Sequence, residues 1–171
     1  MPLPIDCDTC GFLFADVTPD DVVSRLSAAT QALATTLANS GEFARVRPSE
    51  HRWSILEYSA HMRDVLISIR ERIVRATIED HTIGVAMNRD ERVNRGFYDV
   101  DTVEDLVVEL GVLTRLLVKS YSLLTPAELD RPLVFSNLAP YEVTILWAAA
   151  QAVHESEHHL ADVQENLALL S

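Results

Sequence analysis

The chain has little cysteine, little positive charge and no long uninterrupted apolar run, and each scarcity removes a class of protein. Two cysteines, Cys7 and Cys10, are too few for a secreted disulfide framework. Only 14 Lys and Arg stand against 26 Asp and Glu, a formal net charge of −12, and no basic block interrupts that balance. Phosphate backbones are held by Lys and Arg patches, so nucleic acid is not an expected partner. No segment reaches about 18 uncharged apolar residues, so no membrane-spanning helix is expected. The opening MPLPIDCDTC has neither a basic nor an apolar leader region, and a cytoplasmic protein is expected.

What the chain does have is apolar content, 48% of 171 residues. That is enough for one domain with a substantial core, short for two, and too much for intrinsic disorder. Residues 1–18 carry two prolines, a CxxC and Gly11-Phe12-Leu13-Phe14, and read as an extended lead-in that packs its aromatics on the rest. Thr18-Pro19 opens a first helix, with Thr18 as N-cap and Asp20 and Asp21 at its positive end. Val22, Leu26, Ala29, Leu33 and Leu37 form its apolar stripe, and Gly41 is its expected stop. Ser54 and Glu57 form a capping box for a second helix, with Trp53 placed to staple the first turn. Its stripe is Tyr58, Met62, Val65, Leu66, Ile69 and Ile73, ending near Asp80.

Residues 81–100 show no clear period and are longer than an ordinary bundle turn, as functional lids often are. Asp101 or Thr102 caps a third helix with Val103, Leu106, Leu110, Leu113, Leu117 and Tyr121 inside, and Thr125-Pro126 ends it or opens a short turn through Leu129. Residues 130–141 read as a second long connection, and a last helix runs from about Tyr141 to Leu169. The expectation is an all-α, four-helix bundle in one domain spanning residues 1–171, with hardly any strand.

Chemistry concentrates in His154-Glu155-Ser156-Glu157-His158-His159. His154 and His158 are one turn apart on one helix face, and His61 is the well-placed donor elsewhere. Three imidazoles meeting between helices would hold a divalent metal and leave a position for water or substrate. His154 to His158 also spells H-E-x-x-H, the zinc protease pattern. That pattern wants a third ligand further along the chain, where the only histidine is the adjacent His159, turned about 100° away. His51 and His81 fall in connections and are expected to be solvated.

Trp53-Ser54-x-x-Glu57-x-x-x-His61-x-x-Asp64 resembles the second-helix signature of the DinB-like (DinB/YfiT-like) proteins. His154-x-x-x-His158-His159-x-x-Asp162 resembles their last-helix segment, and the likeness runs over about residues 20–168. The resemblance implies a four-helix bundle with a divalent metal, zinc or nickel, on His61, His154 and His158. It further implies a small electrophilic substrate and a metal-dependent S-transferase using a low-molecular-weight thiol of the mycothiol or bacillithiol type. A metal-dependent hydrolase, or a metal-binding stress or interaction protein without turnover, is the alternative. One departure stands out: the thiol-dependent isomerase relatives carry glutamate where this chain has His154, so their own activity is not implied.

Further candidates surround that set. Glu57, one turn before His61, is either an acceptor for a ligand histidine or simply the capping-box partner. His159 either donates to substrate or packs against the neighbouring helix, and Asp162 either holds His158 or lies on the solvated face. Glu155 and Glu157 are expected to face solvent. Arg89 and Arg92 in the long loop are either simply solvated or candidates for holding an anionic thiol or substrate carboxylate. Cys7-Asp8-Thr9-Cys10 supplies two metal ligands at most by itself and lacks a thioredoxin setting; a metal shared with another chain, a strained disulfide or no function are the readings open to it. The apolar surplus of the helices is compatible with a homodimer.

Overall fold

The structure, a computed structural model, describes residues 6–136 and 140–171, so the start of the lead-in, 1–5, and residues 137–139 of the second long connection lie outside the described residues. Six α-helices are described: α1 (Pro19–Ala38), α2 (Ile55–Ile78), α3 (Arg89–Asn94), α4 (Val103–Tyr121), α5 (Pro126–Leu129) and α6 (Ile145–Leu170). The long four make the bundle. Between α5 and α6 lie strands β1 (Pro132–Ser136) and β2 (Pro140–Thr144).

The capping signals act as the sequence requires. The Ser54 side chain accepts from the Glu57 N–H at 3.2 Å, and the Glu57 carboxylate accepts from the Ser54 N–H at 2.7 Å. Trp53 and Tyr58 close over the same turn, with ring centroids 5.3 Å apart. This double lock fixes where α2 begins and therefore the phase at which His61 emerges, two turns on. Ala38 is the last residue of α1, and Gly41, at φ +53°, starts a separate 3-10 turn rather than ending the helix itself.

Two sequence expectations need correction. The connection 130–141 is a β-hairpin, in which Leu133 pairs with Val143 and Phe135 with Tyr141. Leu133, Phe135 and Val143 are buried, so a period of two operates over segments too short and too proline-marked to stand out. The hairpin delays the start of α6 to Ile145, where the Thr144 side chain accepts from the Trp147 N–H at 3.1 Å. The long loop after α2 is likewise not featureless. It carries α3 and is tied to β1 by the Gly84 N–H donating to the Val134 carbonyl at 2.8 Å.

Helices α1 and α2 each pack on both α4 and α6, so α6 lies between α1 and α2. Leu26, Leu33, Leu66, Ile69, Ile73, Leu106 and Leu110 fill the interior, and each such side chain contributes about 1.5–3 kcal/mol by leaving water. Polar clamps then set α6 against its neighbours. Arg25 of α1 grips Glu157 through two bonds of 2.8 and 2.7 Å. Buried Asn166 donates to the Trp53 carbonyl at 2.7 Å and accepts from Arg52 at 2.9 Å. The entrance of α2 is thus fastened to α6, and His61 is held beside residues 154–159. No helix among the described residues is long and apolar enough to cross a membrane.

Candidate metal centre

Along α6 the buried positions Ile145, Ala149, Ala152, Ser156, His159, Val163 and Asn166 step by three and four. His159 therefore belongs to the core-facing stripe, and Glu155, one turn before it, flanks that stripe. His61, on α2, is 2% exposed and His159 3% exposed. Their rings cross edge-on, with centroids 5.1 Å apart and an interplanar angle of 80°. Trp53 walls His61 at 5.4 Å and Tyr58 walls His159 at 5.2 Å.

Between these rings sits the Glu155 carboxylate. Its Oε2 is 3.5 Å from His61 Nε2 and 3.2 Å from His159 Nε2, and the three donor atoms lie within 4.8 Å of one another. Both ring nitrogens of His61 and Nε2 of His159 are buried without a hydrogen-bond partner among the described residues. Buried imidazole nitrogens ordinarily find partners, so the two Nε2 atoms that face one carboxylate oxygen without a hydrogen bond to it fit a divalent cation. Two imidazoles and one carboxylate are also a donor set that leaves further coordination positions open, as catalytic metal sites do.

The surroundings orient these donors. Asp162 Oδ2 lies 2.8 Å from His159 Nδ1, which turns Nε2 towards Glu155, the carboxylate–histidine arrangement typical behind a metal ligand. Gln151 donates to Glu155 Oε1 at 2.6 Å, leaving Oε2 for the shared point. Burial pushes the His61 pKa down and keeps the ring neutral, the form that binds metal. Burial alone would raise the Glu155 carboxyl, but His159 and His61 hold it well below the usual range. Burial likewise opposes the charge on His159, yet Asp162 and Glu155 outweigh it and lift its pKa.

Two clefts open on this point. The larger, about 460 Å³, is lined by His61, Glu155, Gln151, Arg72, Met87 and Asn88 among others. The smaller, about 220 Å³, is lined by His159, Asp162, His158, Tyr58, Trp53 and His51. Arg89 and Asp90, in the first turn of α3, line both.

Of the residues singled out from the sequence, the structure brings His61 and His159 together and adds Glu155. It does not bring His61 together with His154 and His158. Those two lie on the adjoining face of α6, where their donor atoms group with Cys7 and Cys10. The difference is one residue of register, about 100° around the helix. Glu155, expected at the surface, is the enclosed carboxylate, with its side chain 15% exposed. Glu57 sits at the start of α2, bound to the Ser54 N–H and paired with Arg47. Asp162 holds His159 more closely than His158, at 2.8 against 3.6 Å.

Arg89 stands at the clefts, whereas Arg92 is committed to Asp64 at 2.5 Å and to the Met87 carbonyl at 2.8 Å. Arg72 was not among the residues singled out from the sequence. It is 5% exposed, stacks 4.1 Å from the Phe135 ring centroid and donates to the Val85 carbonyl at 2.5 Å. No carboxylate among the described residues pairs with it, and burial lowers its pKa. Its sequence signal was faint: a charge within the apolar stripe of α2, between Ile69 and Ile73.

Comparison with known proteins agrees with this architecture. The family model of the DinB superfamily matches residues 22–163. No curated protein matches the chain. Among solved structures the chain is similar to YfiT from Bacillus subtilis, described as a probable metal-dependent hydrolase with an unusual four-helix bundle topology. The two share 15% identity over 86% of this chain and 85% of that one, with a TM-score of 0.73, a likeness that speaks for the fold. With the family model spanning all four long helices, the chain belongs to the DinB superfamily.

Proposed function

We propose that the chain is a divalent-metal-dependent enzyme that transfers a nucleophile, a low-molecular-weight thiol, to a small electrophilic substrate. The observation that carries this reading is the meeting of His61, Glu155 and His159, whose facing Nε2 atoms are buried without a hydrogen-bond partner among the described residues. A zinc or nickel ion held there would lower the pKa of a coordinated thiol or water, so that a nucleophile is available near neutral pH. Asp162 holds the His159 ring in place, and Gln151 keeps Glu155 aimed at the shared point. Arg72 and Arg89 border the larger cleft and offer positive charge to a carboxylate of thiol or substrate. Two clefts meeting at one point suit a reaction of two partners, one entering from each side.

The register found here also bears on the departure noted in the sequence. A glutamate does stand among the candidate ligands, at Glu155, so the thiol-dependent relatives become closer guides than a three-histidine site allowed. A hydrolase is the second reading, favoured by the description of YfiT, and it would use the same residues with water in place of thiol.

The test is metal analysis and turnover of untagged protein. Metal at the His61–Glu155–His159 site, lost in His61→Ala and Glu155→Ala together with conversion of electrophiles in the presence of mycothiol or bacillithiol, is the expected result. Conversion that is indifferent to thiol supports hydrolysis. Conversion unaffected by both substitutions contradicts the assignment.

A further inference from the structure

The CxxC of the lead-in is not remote from the bundle. Residues 6–13 form a small hairpin in which the Cys7 N–H donates to the Phe12 carbonyl at 2.9 Å and the Gly11 N–H donates to the Cys7 carbonyl at 2.7 Å. Gly11, at φ +72°, supplies the left-handed residue that lets the chain turn immediately after Cys10. The hairpin lies against α6, with Phe12 and Phe14 ring centroids 5.0 and 5.5 Å from the His154 ring.

We propose that Cys7, Cys10, His154 and His158 form a second metal site, a closed Cys2His2 centre of the zinc type, which pins the N-terminal hairpin to α6. One donor atom from each lies within 4.8 Å of the others, and Cys7 Sγ is 3.9 Å from His158 Nδ1. Donor atoms around tetrahedral zinc are about 3.3–3.8 Å apart, given Zn–N and Zn–S lengths of about 2.0–2.3 Å. The group thus needs only a modest contraction, and the exposed Cys10 is free to supply it.

A second observation points independently to a ligand. His154 has both ring nitrogens buried without a hydrogen-bond partner among the described residues, with its side chain 12% exposed. His158 is oriented as a metal ligand is: Nδ1 faces the Cys7 sulfur while Nε2 lies 3.6 Å from Asp162 Oδ2. Binding Zn²⁺ would release one proton from each thiol, so that two thiolates balance the charge of the ion and the imidazoles remain neutral. Four protein ligands leave no position for substrate, which makes the centre structural and separates it from the open His61–Glu155–His159 set. The two sites share no ligand. They do share Asp162, whose Oδ2 faces both His158 and His159.

Cobalt replacement of the full, untagged chain, purified under reductant, tests the site. Two equivalents of Co²⁺ and a thiolate-to-cobalt charge-transfer band in the near ultraviolet are expected. Cys7→Ser combined with Cys10→Ser should remove the band and one equivalent. His61→Ala should remove the other equivalent and keep the band. Because Cys10 is exposed, Cys10→Ser alone removes a ligand without touching the buried core of the bundle, and it should weaken the band. A single equivalent with the band would sustain this centre and contradict the open site. Cobalt binding without the band in the parent protein, or an unchanged stoichiometry in the double serine variant, overturns the proposal.

Discussion

Glu155 and His159 meet His61 at a point walled by Trp53 and Tyr58, whereas His154 and His158, one residue back on the same helix, meet two thiols on a hairpin. The first cluster is assembled by two long helices, α2 and α6, fastened to each other through Asn166, which bonds the Trp53 carbonyl and Arg52 at the entrance of α2. The second depends on a short segment held by a tight turn and aromatic packing. The first opens on clefts and has a carboxylate among its donors; the second has sulfur donors and a full set of four. An offset of one residue, about 100° on a helix, therefore separates two environments with different chemistry.

The largest effect that would sharpen this contrast is expected from Glu155→Ala or His159→Ala. Either should abolish metal at the open site and turnover with it, while the cobalt–thiolate band of the other cluster persists. The same loss of turnover from His154→Ala, with Glu155→Ala retaining activity, would break the contrast. Leu66→Ala comes next. It empties a fully buried position of α2, the helix that carries only His61, and should cost about 2–5 kcal/mol in denaturant unfolding.

Asp162→Asn is expected to act on both clusters, because one oxygen faces both rings. A loss of about 10–100-fold in metal affinity at each is the scale for a residue supporting a ligand histidine. Competition with a chelator, read separately by total metal and by the thiolate band, would show whether both sites weaken or only one. The smallest effect concerns the anchor of α2. Burial would raise the Glu57 carboxyl, but Arg47 and the Ser54 N–H outweigh it and hold its pKa below the ordinary value. Its stabilisation is then present above the unfolded carboxyl's pKa and is lost as pH falls through the lower folded value. Glu57→Gln should accordingly flatten the acid limb of a stability–pH curve and leave the neutral-to-alkaline limb parallel to the parent's.

The four-helix bundle was legible because each long helix announces itself: Thr18-Pro19 and Ser54 with Glu57 mark starts, and stripes such as Val22, Leu26, Leu33 and Leu37 mark faces. The β-hairpin was not, since Leu133 and Phe135 alternate over only a few residues after Pro132, and Val143 is the single buried position after Pro140. Within the candidate site, the position of His61 was readable from its place beside the α2 stripe. The partners on α6 were ambiguous because His154-Glu155-Ser156-Glu157-His158-His159 contains two pairs at i,i+4 spacing. Choosing between them required the phase of the helix to within one residue. Extending Ala149 and Ala152 by steps of four and three arrives at Ser156 and His159, a signal present in the sequence but diluted by the apolar Val153 and Leu160. Pairing of Cys7 and Cys10 with α6 is long-range, and no periodicity encodes it.

The most direct test of the central claim is an anomalous-difference map from crystals of the metal-loaded protein, collected at the absorption edge of the bound ion. A peak bounded by Nε2 of His61, Nε2 of His159 and Oε2 of Glu155 is the predicted result. A peak bounded instead by His61, His154 and His158, or no peak near His61 in metal-loaded crystals, would contradict it.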